Sequence, residues 1–192
     1  MKKNIFIIIA IIALSCNNSK KSNIESEKVA KKELRPFFDS DEIDHYYINY
    51  TLDDVVKFDD EVKLSEKEEE LESIFTGYYP DSIPKKDFEK TLLYHGYKKS
   101  NLTIKQEKQI ENVFSEKDSL QNEFAACVAE YRDIFIFKKN KKTVGIAKIC
   151  FKCGRRQIIG SKLDTEGFGL WTELGKLKKI VRPESYSILV TD

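Results

Sequence analysis

The sequence has almost no surplus charge, few histidines and no long apolar run in its interior. Its 33 basic and 32 acidic residues leave a formal net charge of +1, and it contains two histidines. A chain this close to neutral lacks the basic surface that binds a phosphate backbone, so the sequence indicates no nucleic-acid partner. His45 and His95 belong to no recognised nucleophile motif. The sequence therefore favours a non-catalytic protein over an enzyme.

No apolar run reaches the roughly 20 residues that a helix needs to cross a bilayer. The longest run, residues 5–14, follows two lysines and ends just before Cys16. This pattern predicts a secretory signal peptide over residues 1–15. Residues 16–33 are polar and free of aromatics, which predicts a tether, and residues 34–192 are long enough for a single globular domain.

Residues 13–16, ALSC, resemble the lipobox of bacterial lipoproteins, with Ala13 at the position where that family favours Leu. The resemblance implies that Cys16 carries acyl chains such as palmitate and that its lipid anchors the protein in the cell envelope. Each buried methylene contributes about 0.8 kcal/mol, so two or three chains make a lasting anchor. Asn17 argues by the same resemblance against retention in the inner membrane, which leaves the outer membrane as the expected location.

The residue patterns of 34–192 predict an α+β domain. In it, an antiparallel sheet with a central long hairpin (about 131–151) packs against several short helices. Two of these helices, at 63–75 and 101–114, begin with the same signal: a Ser or Thr is followed three residues later by Glu or Gln. This arrangement is a capping box, which satisfies the free N–H groups of a helix start.

Weaker patterns predict the remaining elements. Aromatic and β-branched residues predict a strand at 45–52, and apolar runs predict strands at 156–163 and 185–190. A proline near the start and a glycine just past the end predict a helix at 84–95. Leucines at helical spacing predict another helix at about 170–181.

Three cysteines lie in or near the hairpin. If the turn is centred on Asn140, antiparallel register places Cys127 opposite Cys153, within reach of a disulfide. Cys150 then remains as a buried packing thiol. A loop one residue different in length would instead place Cys127 opposite Gly154.

Two other roles for Cys127, Cys150 and Cys153 stay open from the sequence, ligation of a transition metal and thiol redox chemistry. A structural zinc site takes four ligands, so the three cysteines need a fourth from His45, His95 or a carboxylate. An odd number of cysteines in the mature chain leaves one thiol over after a single internal disulfide.

The stretch from Cys127 to Cys153 is similar to a C…YRD…F…ICFxC pattern in uncharacterised lipoproteins of Bacteroidota-type bacteria. The resemblance implies the same envelope location and carries no activity. Within this stretch, Arg132 and Asp133 lie in an apolar strand, where a charged pair must be exposed at an edge, paired, or part of a site. Our hypothesis is a lipid-anchored envelope protein with a structural or protein-binding role, and the alternative is a metal-binding or thiol-redox protein.

Overall fold

The computed structural model describes residues 34–57, 63–117 and 126–183. All of them belong to the second of two units into which the chain divides, Glu33–Asp192. The predicted signal peptide, Cys16, the tether and the predicted strand at 185–190 lie outside the described residues. Within the described ranges, no helix has both the length and the apolar character needed to span a membrane.

The described residues form five strands and five helices. The strands are β1 (Glu42–Tyr47), β2 (Lys98–Ser100), β3 (Asp133–Lys139), β4 (Lys142–Ile149) and β5 (Arg156–Ile159). The helices are α1 (Leu52–Val55), α2 (Glu66–Phe75), α3 (Phe88–Tyr94), α4 (Ile104–Val113) and α5 (Trp171–Val181).

The strands form one sheet in the order β2-β1-β3-β4-β5, and every neighbouring pair is antiparallel. This confirms the predicted α+β fold, with the β3–β4 hairpin at its centre. The hairpin turn consists of Asn140 and Lys141, whose φ angles are 50° and 65°. Two positive φ angles are typical of the tight turn that matches the twist of paired strands.

Helices cover both faces of the sheet, because side chains alternate between the faces along each strand. On one face Phe135 and Ile149 pack in a cluster with residues of α4 and α5. On the other face Ile134, Ile136 and Ile146 pack with residues of α2 and α3. Burial on both faces explains why the hairpin sequence is apolar at even and odd positions alike.

Both predicted capping boxes are confirmed. Ser65 Oγ accepts a hydrogen bond from the Glu68 N–H at 3.4 Å, and the Glu68 carboxylate accepts one from the Ser65 N–H at 2.9 Å. Thr103 and Gln106 make the equivalent pair at the start of α4. The two helices therefore start close to where the sequence placed them.

The strand predicted at 45–52 is wrong in its bounds, because β1 begins at Glu42 and ends at Tyr47. The polar residues at the start of β1 do not show the apolar pattern that predicts a strand. Asp44 is buried there because its carboxylate pairs with Lys138 at 2.5 Å and with Lys99 at 2.7 Å. Tyr50, which the prediction placed on the buried face, is 38% exposed.

Two further predictions place an end wrongly. The strand predicted at 156–163 ends at Ile159, because Gly160 has a φ of 88°, which a strand residue does not adopt. The helix predicted at 84–95 begins at Phe88, because Asp87 caps it by accepting a hydrogen bond from a backbone N–H of its first turn.

Candidate functional site: a three-cysteine cluster

A tight turn at residues 150–155 brings two of the cysteines together after β4. The Cys150 N–H donates to the Arg155 carbonyl at 2.8 Å, and the Gly154 N–H donates to the Cys150 carbonyl at 3.0 Å. Gly154 has a φ of 72°, in a region that residues with a Cβ rarely adopt. The turn places Cys153 beside Cys150, whereas a regular strand would point them to opposite faces.

Cys127 precedes β3 and forms a disulfide with Cys153, with 6.4 Å between their α-carbons. This is the pair that the register argument suggested, but the register itself is wrong. Lys139 pairs with Lys142, and a bulge after Phe137 shifts the pairing again. The two cysteines meet because both lie beyond the paired residues of the hairpin, where the strand register no longer applies.

Cys150 is a free thiol held against this disulfide. Its sulfur lies 3.4 Å from the sulfur of Cys153 and accepts a hydrogen bond from the Glu130 N–H at 3.4 Å. All three sulfurs lie within 4.8 Å of one another. Cys150 and Cys153 are each 1% exposed, whereas Cys127 is half-buried. The cluster therefore has a buried side and a side nearer to solvent.

Glu130 links the segment before β3 to the turn at residues 150–155. Its carboxylate accepts a hydrogen bond from Lys152 Nζ at 2.6 Å and pairs with Arg132. Burial on its own would raise the pKa of Glu130, but the hydrogen bonds from Lys152 and Arg132 outweigh burial and lower it. Arg132, one of the two charged residues in the apolar strand, is thus paired.

The cluster contains three sulfurs of a residue type that binds metals, and two of them are joined in the disulfide. Thiolates are the metal ligands, so ligation would first require reduction. The histidines considered as fourth ligands lie in other contacts: His45 with Ser100 and Asp133, and His95 with Glu70. The described residues therefore provide an incomplete site for structural zinc.

A second polar group crosses the sheet on the α5 face. Ser100 Oγ lies 2.9 Å from His45 Nδ1, and His45 Nε2 lies 3.1 Å from Asp133 Oδ1. Asp133 also pairs with Arg182, which follows α5. His45 and Asp133 are each 1% exposed, and Ser100 is the direct strand partner of His45.

This Ser–His–Asp chain is not arranged as in a serine hydrolase. In the hydrolase triad the serine faces Nε2 and the acid faces Nδ1, whereas here Ser100 faces Nδ1 and Asp133 faces Nε2. The ring of His45 also packs against Phe135, with 4.8 Å between the ring centroids. We interpret the group as a buried network in which each polar atom satisfies another.

Lys148 is fully buried on the face that α2 and α3 cover. Its ammonium donates hydrogen bonds to the carbonyls of Gly77 at 2.7 Å and Tyr79 at 2.8 Å, and it lies 4.4 Å from the centroid of the Tyr131 ring. Burial lowers the pKa of Lys148 to about 7. A lysine thus takes the place of a core residue and holds a loop by its backbone.

Gln157 completes this attachment. It is the strand partner of Lys148, and its side-chain amide donates to the carbonyls of Tyr78 at 2.7 Å and Pro80 at 2.9 Å. Four consecutive carbonyls are therefore held by two neighbouring side chains of the sheet. We call residues 77–83 the pinned loop.

The sequence patterns revealed neither the partners of His45 nor the role of Lys148. Ser100 and His45 are separated by 55 positions, so no local spacing links them. Lys148 did give a signal, because it stands alone among apolar residues in GIAKICF. A lone charge in a buried strand requires polar partners, and that rule predicts an attachment of this kind.

No protein-family model matches the chain, and neither a curated protein nor a solved structure matches it. A function for this chain therefore has to be inferred from its own residues.

Proposed function

We propose that this chain is a lipid-anchored protein of the cell envelope, held at the outer membrane through an acylated Cys16. The support is the N-terminal sequence, in which an apolar run follows two lysines and ends at a cysteine in a lipobox-like context. The Cys127–Cys153 disulfide agrees with this location, because disulfides persist outside the reducing cytoplasm. The tether then links the lipid to the domain.

At that location the domain has a non-catalytic role, the binding of another protein through the pinned loop. Side chains of the sheet hold the loop's backbone at four carbonyls, while Tyr78 is 70% exposed and Ile83 is 38% exposed. Aromatic residues are enriched at protein interfaces, and a loop that is already ordered loses little entropy on binding. This rigid display of an exposed tyrosine is the observation that carries the binding role.

The anchor is tested with Cys16→Ser in the full chain, expressed in a bacterium with an outer membrane. Wild-type protein should incorporate a palmitate analogue and co-sediment with outer-membrane vesicles after a carbonate wash. Cys16→Ser should lose the label and that membrane association, whereas the matched control Cys150→Ser should keep both. Acylation that persists in Cys16→Ser, or wild-type protein in the soluble fraction, would contradict the anchor.

The binding role is tested by placing a photo-crosslinking residue at Tyr78 and, as a control, at Tyr94, which is 61% exposed and lies outside the pinned loop. We expect a discrete cross-linked protein from position 78 alone. Adding Lys148→Met, which removes two of the four loop attachments, should reduce that product. The same products from both positions, or no effect of Lys148→Met, would contradict the role of the loop.

The second candidate function is metal or thiol chemistry at the cysteine cluster, favoured by the mutual distance of 4.8 Å or less among its sulfurs. Tetrahedral zinc–sulfur bonds of about 2.3 Å hold two sulfurs about 3.8 Å apart, a spacing that the cluster could reach once the disulfide is reduced. Elemental analysis for zinc, iron and copper tests ligation, on full-length protein purified with and without reductant. One metal per chain that Cys150→Ser abolishes supports ligation, and no metal under either condition rejects it.

A further inference from the structure

The three sulfurs differ in bonding and in access to solvent. Cys150 is a buried thiol 3.4 Å from the sulfur of Cys153, which is already bonded to Cys127. Cys127 is half-buried, and its neighbour Val128 is 57% exposed. A free thiol in van der Waals contact with a disulfide is the starting arrangement for thiol–disulfide exchange.

We infer that the cluster is an exchange site in which Cys150 displaces Cys127 from Cys153. The Cys150 thiolate attacks the Cys153 sulfur, the Cys150–Cys153 bond forms, and the Cys153–Cys127 bond breaks. The bonding electron pair leaves with the Cys127 sulfur, which takes up the proton that Cys150 released. One disulfide and one thiol are present before and after the step, so it needs no external oxidant or reductant.

The contacts of the Cys150 sulfur give the exchange its direction. Cys153 is the disulfide sulfur that Cys150 touches, and the Glu130 N–H donates a hydrogen bond that holds the Cys150 sulfur beside it. In-line attack requires the sulfurs of Cys150, Cys153 and Cys127 to lie close to one line. The sulfurs of Cys150 and Cys127 are too close together for that arrangement. In-line attack therefore requires the Cys127 side chain to turn away from Cys150, toward the exposed side.

The product carries its thiol on Cys127, the half-buried member, so exchange moves a reactive group from the interior toward the surface. There it can attack a disulfide of another molecule, forming a mixed disulfide with one sulfur and releasing the other as a thiol. The expected partner is a protein or small-molecule disulfide in the envelope. This inference rests on the second candidate function, thiol chemistry at the cluster, and is independent of the anchor at Cys16.

The test uses the folded full chain without reductant, with a metal chelator, at about pH 8, where a free thiol is partly ionised. A maleimide is added, and mass spectrometry locates the label and the disulfide residue by residue, so that any label on Cys16 is read separately. We expect label on Cys127 together with a Cys150–Cys153 disulfide. Oxidised glutathione, as a probe disulfide, should form its mixed disulfide on Cys127.

Cys150→Ser and Cys150→Ala are the matched variants, and circular dichroism checks that both remain folded. Each should lower the rate of Cys127 labelling by roughly tenfold or more, because the attacking thiol is gone. Equal labelling of Cys127 in wild type and variants, or label on Cys150 alone, would overturn the exchange. Cys127 that stays unlabelled with chelator, in a chain that holds metal when the chelator is omitted, would also overturn the exchange and would support ligation instead.

Discussion

Replacing Lys148 with Met should abolish a pH dependence of stability that we expect the wild-type domain to show above neutral pH. Lys148 is fully buried, and burial lowers the pKa of its ammonium to about 7. In the unfolded chain the pKa of the same group is about 10.4. Met keeps most of the apolar length of the side chain and removes the group that titrates.

The sign and size follow from proton linkage. Between the two pKa values the unfolded chain binds one more proton than the folded protein, so the free energy of unfolding rises with pH. From about pH 7.5 to pH 9.5 a folded pKa of about 7 gives a rise of about 2.5 kcal/mol. Tyr131 does not obscure this rise. Burial raises the pKa of Tyr131 to about 12, and the stability that this shift contributes is lost only above about pH 10, where tyrosine ionises in the unfolded chain.

Urea unfolding followed by far-ultraviolet circular dichroism at several pH values measures this rise. A Cys150→Ser background prevents disulfide rearrangement at alkaline pH. Lys142→Met is the matched control, because Lys142 is an exposed lysine on the same strand and its removal should leave the rise intact. Equal slopes in the Lys148→Met variant and the parent would refute the reasoning and would mean that the two carbonyls keep the ammonium charged.

Two further predictions concern the fold. A Cβ on Gly145 would lie 2.2 Å from the Phe38 ring, so Gly145→Ala should destabilise the domain by about 1–3 kcal/mol. Gly175 lies in an open part of α5, so Gly175→Ala should stabilise the domain by about 0.5–1 kcal/mol. Urea unfolding that gives both variants a change of the same sign would contradict this contrast. Burial raises the pKa of Asp44, but hydrogen bonds from Lys138 and a second lysine outweigh burial and lower it. Asp44 therefore contributes stability that is lost as pH falls below about 4, and Asp44→Asn should flatten the acid limb of the stability curve, while Asn at an exposed aspartate should not.

The features of the fold that could be predicted were those encoded by neighbouring residues. Capping boxes, turn residues and apolar periodicity act within a few positions, so helices α2 and α4 and the β3–β4 hairpin were found. The start of β1 was missed because Asp44 is compatible with a buried strand only through lysines that lie far away in the sequence. Burial of a charge depends on its partners, and a single sequence does not name them.

The candidate site shows the same limit in another form. The sequence alone identified Cys127, Cys150 and Cys153 as candidate site residues, because a thiol can form disulfides or bind metals in many structural settings. The pairing of two of them was suggested through a register that the turn and a bulge shift. What decides the chemistry is the 3.4 Å contact of Cys150 with the disulfide, and this contact depends on the turn that Gly154 permits.

The fold also determines which sulfur can move. Cys150 and Cys153 lie in a turn that backbone hydrogen bonds close, and both are buried. The chain after Cys127 becomes fixed at Glu130, whose N–H binds the Cys150 sulfur, and at Tyr131, whose N–H donates to a carbonyl at the end of α2 at 2.7 Å. Between these fixed points and the disulfide lie two residues, Val128, which is exposed, and Ala129, which is buried. We therefore expect the larger movement on the Cys127 side, which is also where a released thiol would meet a partner.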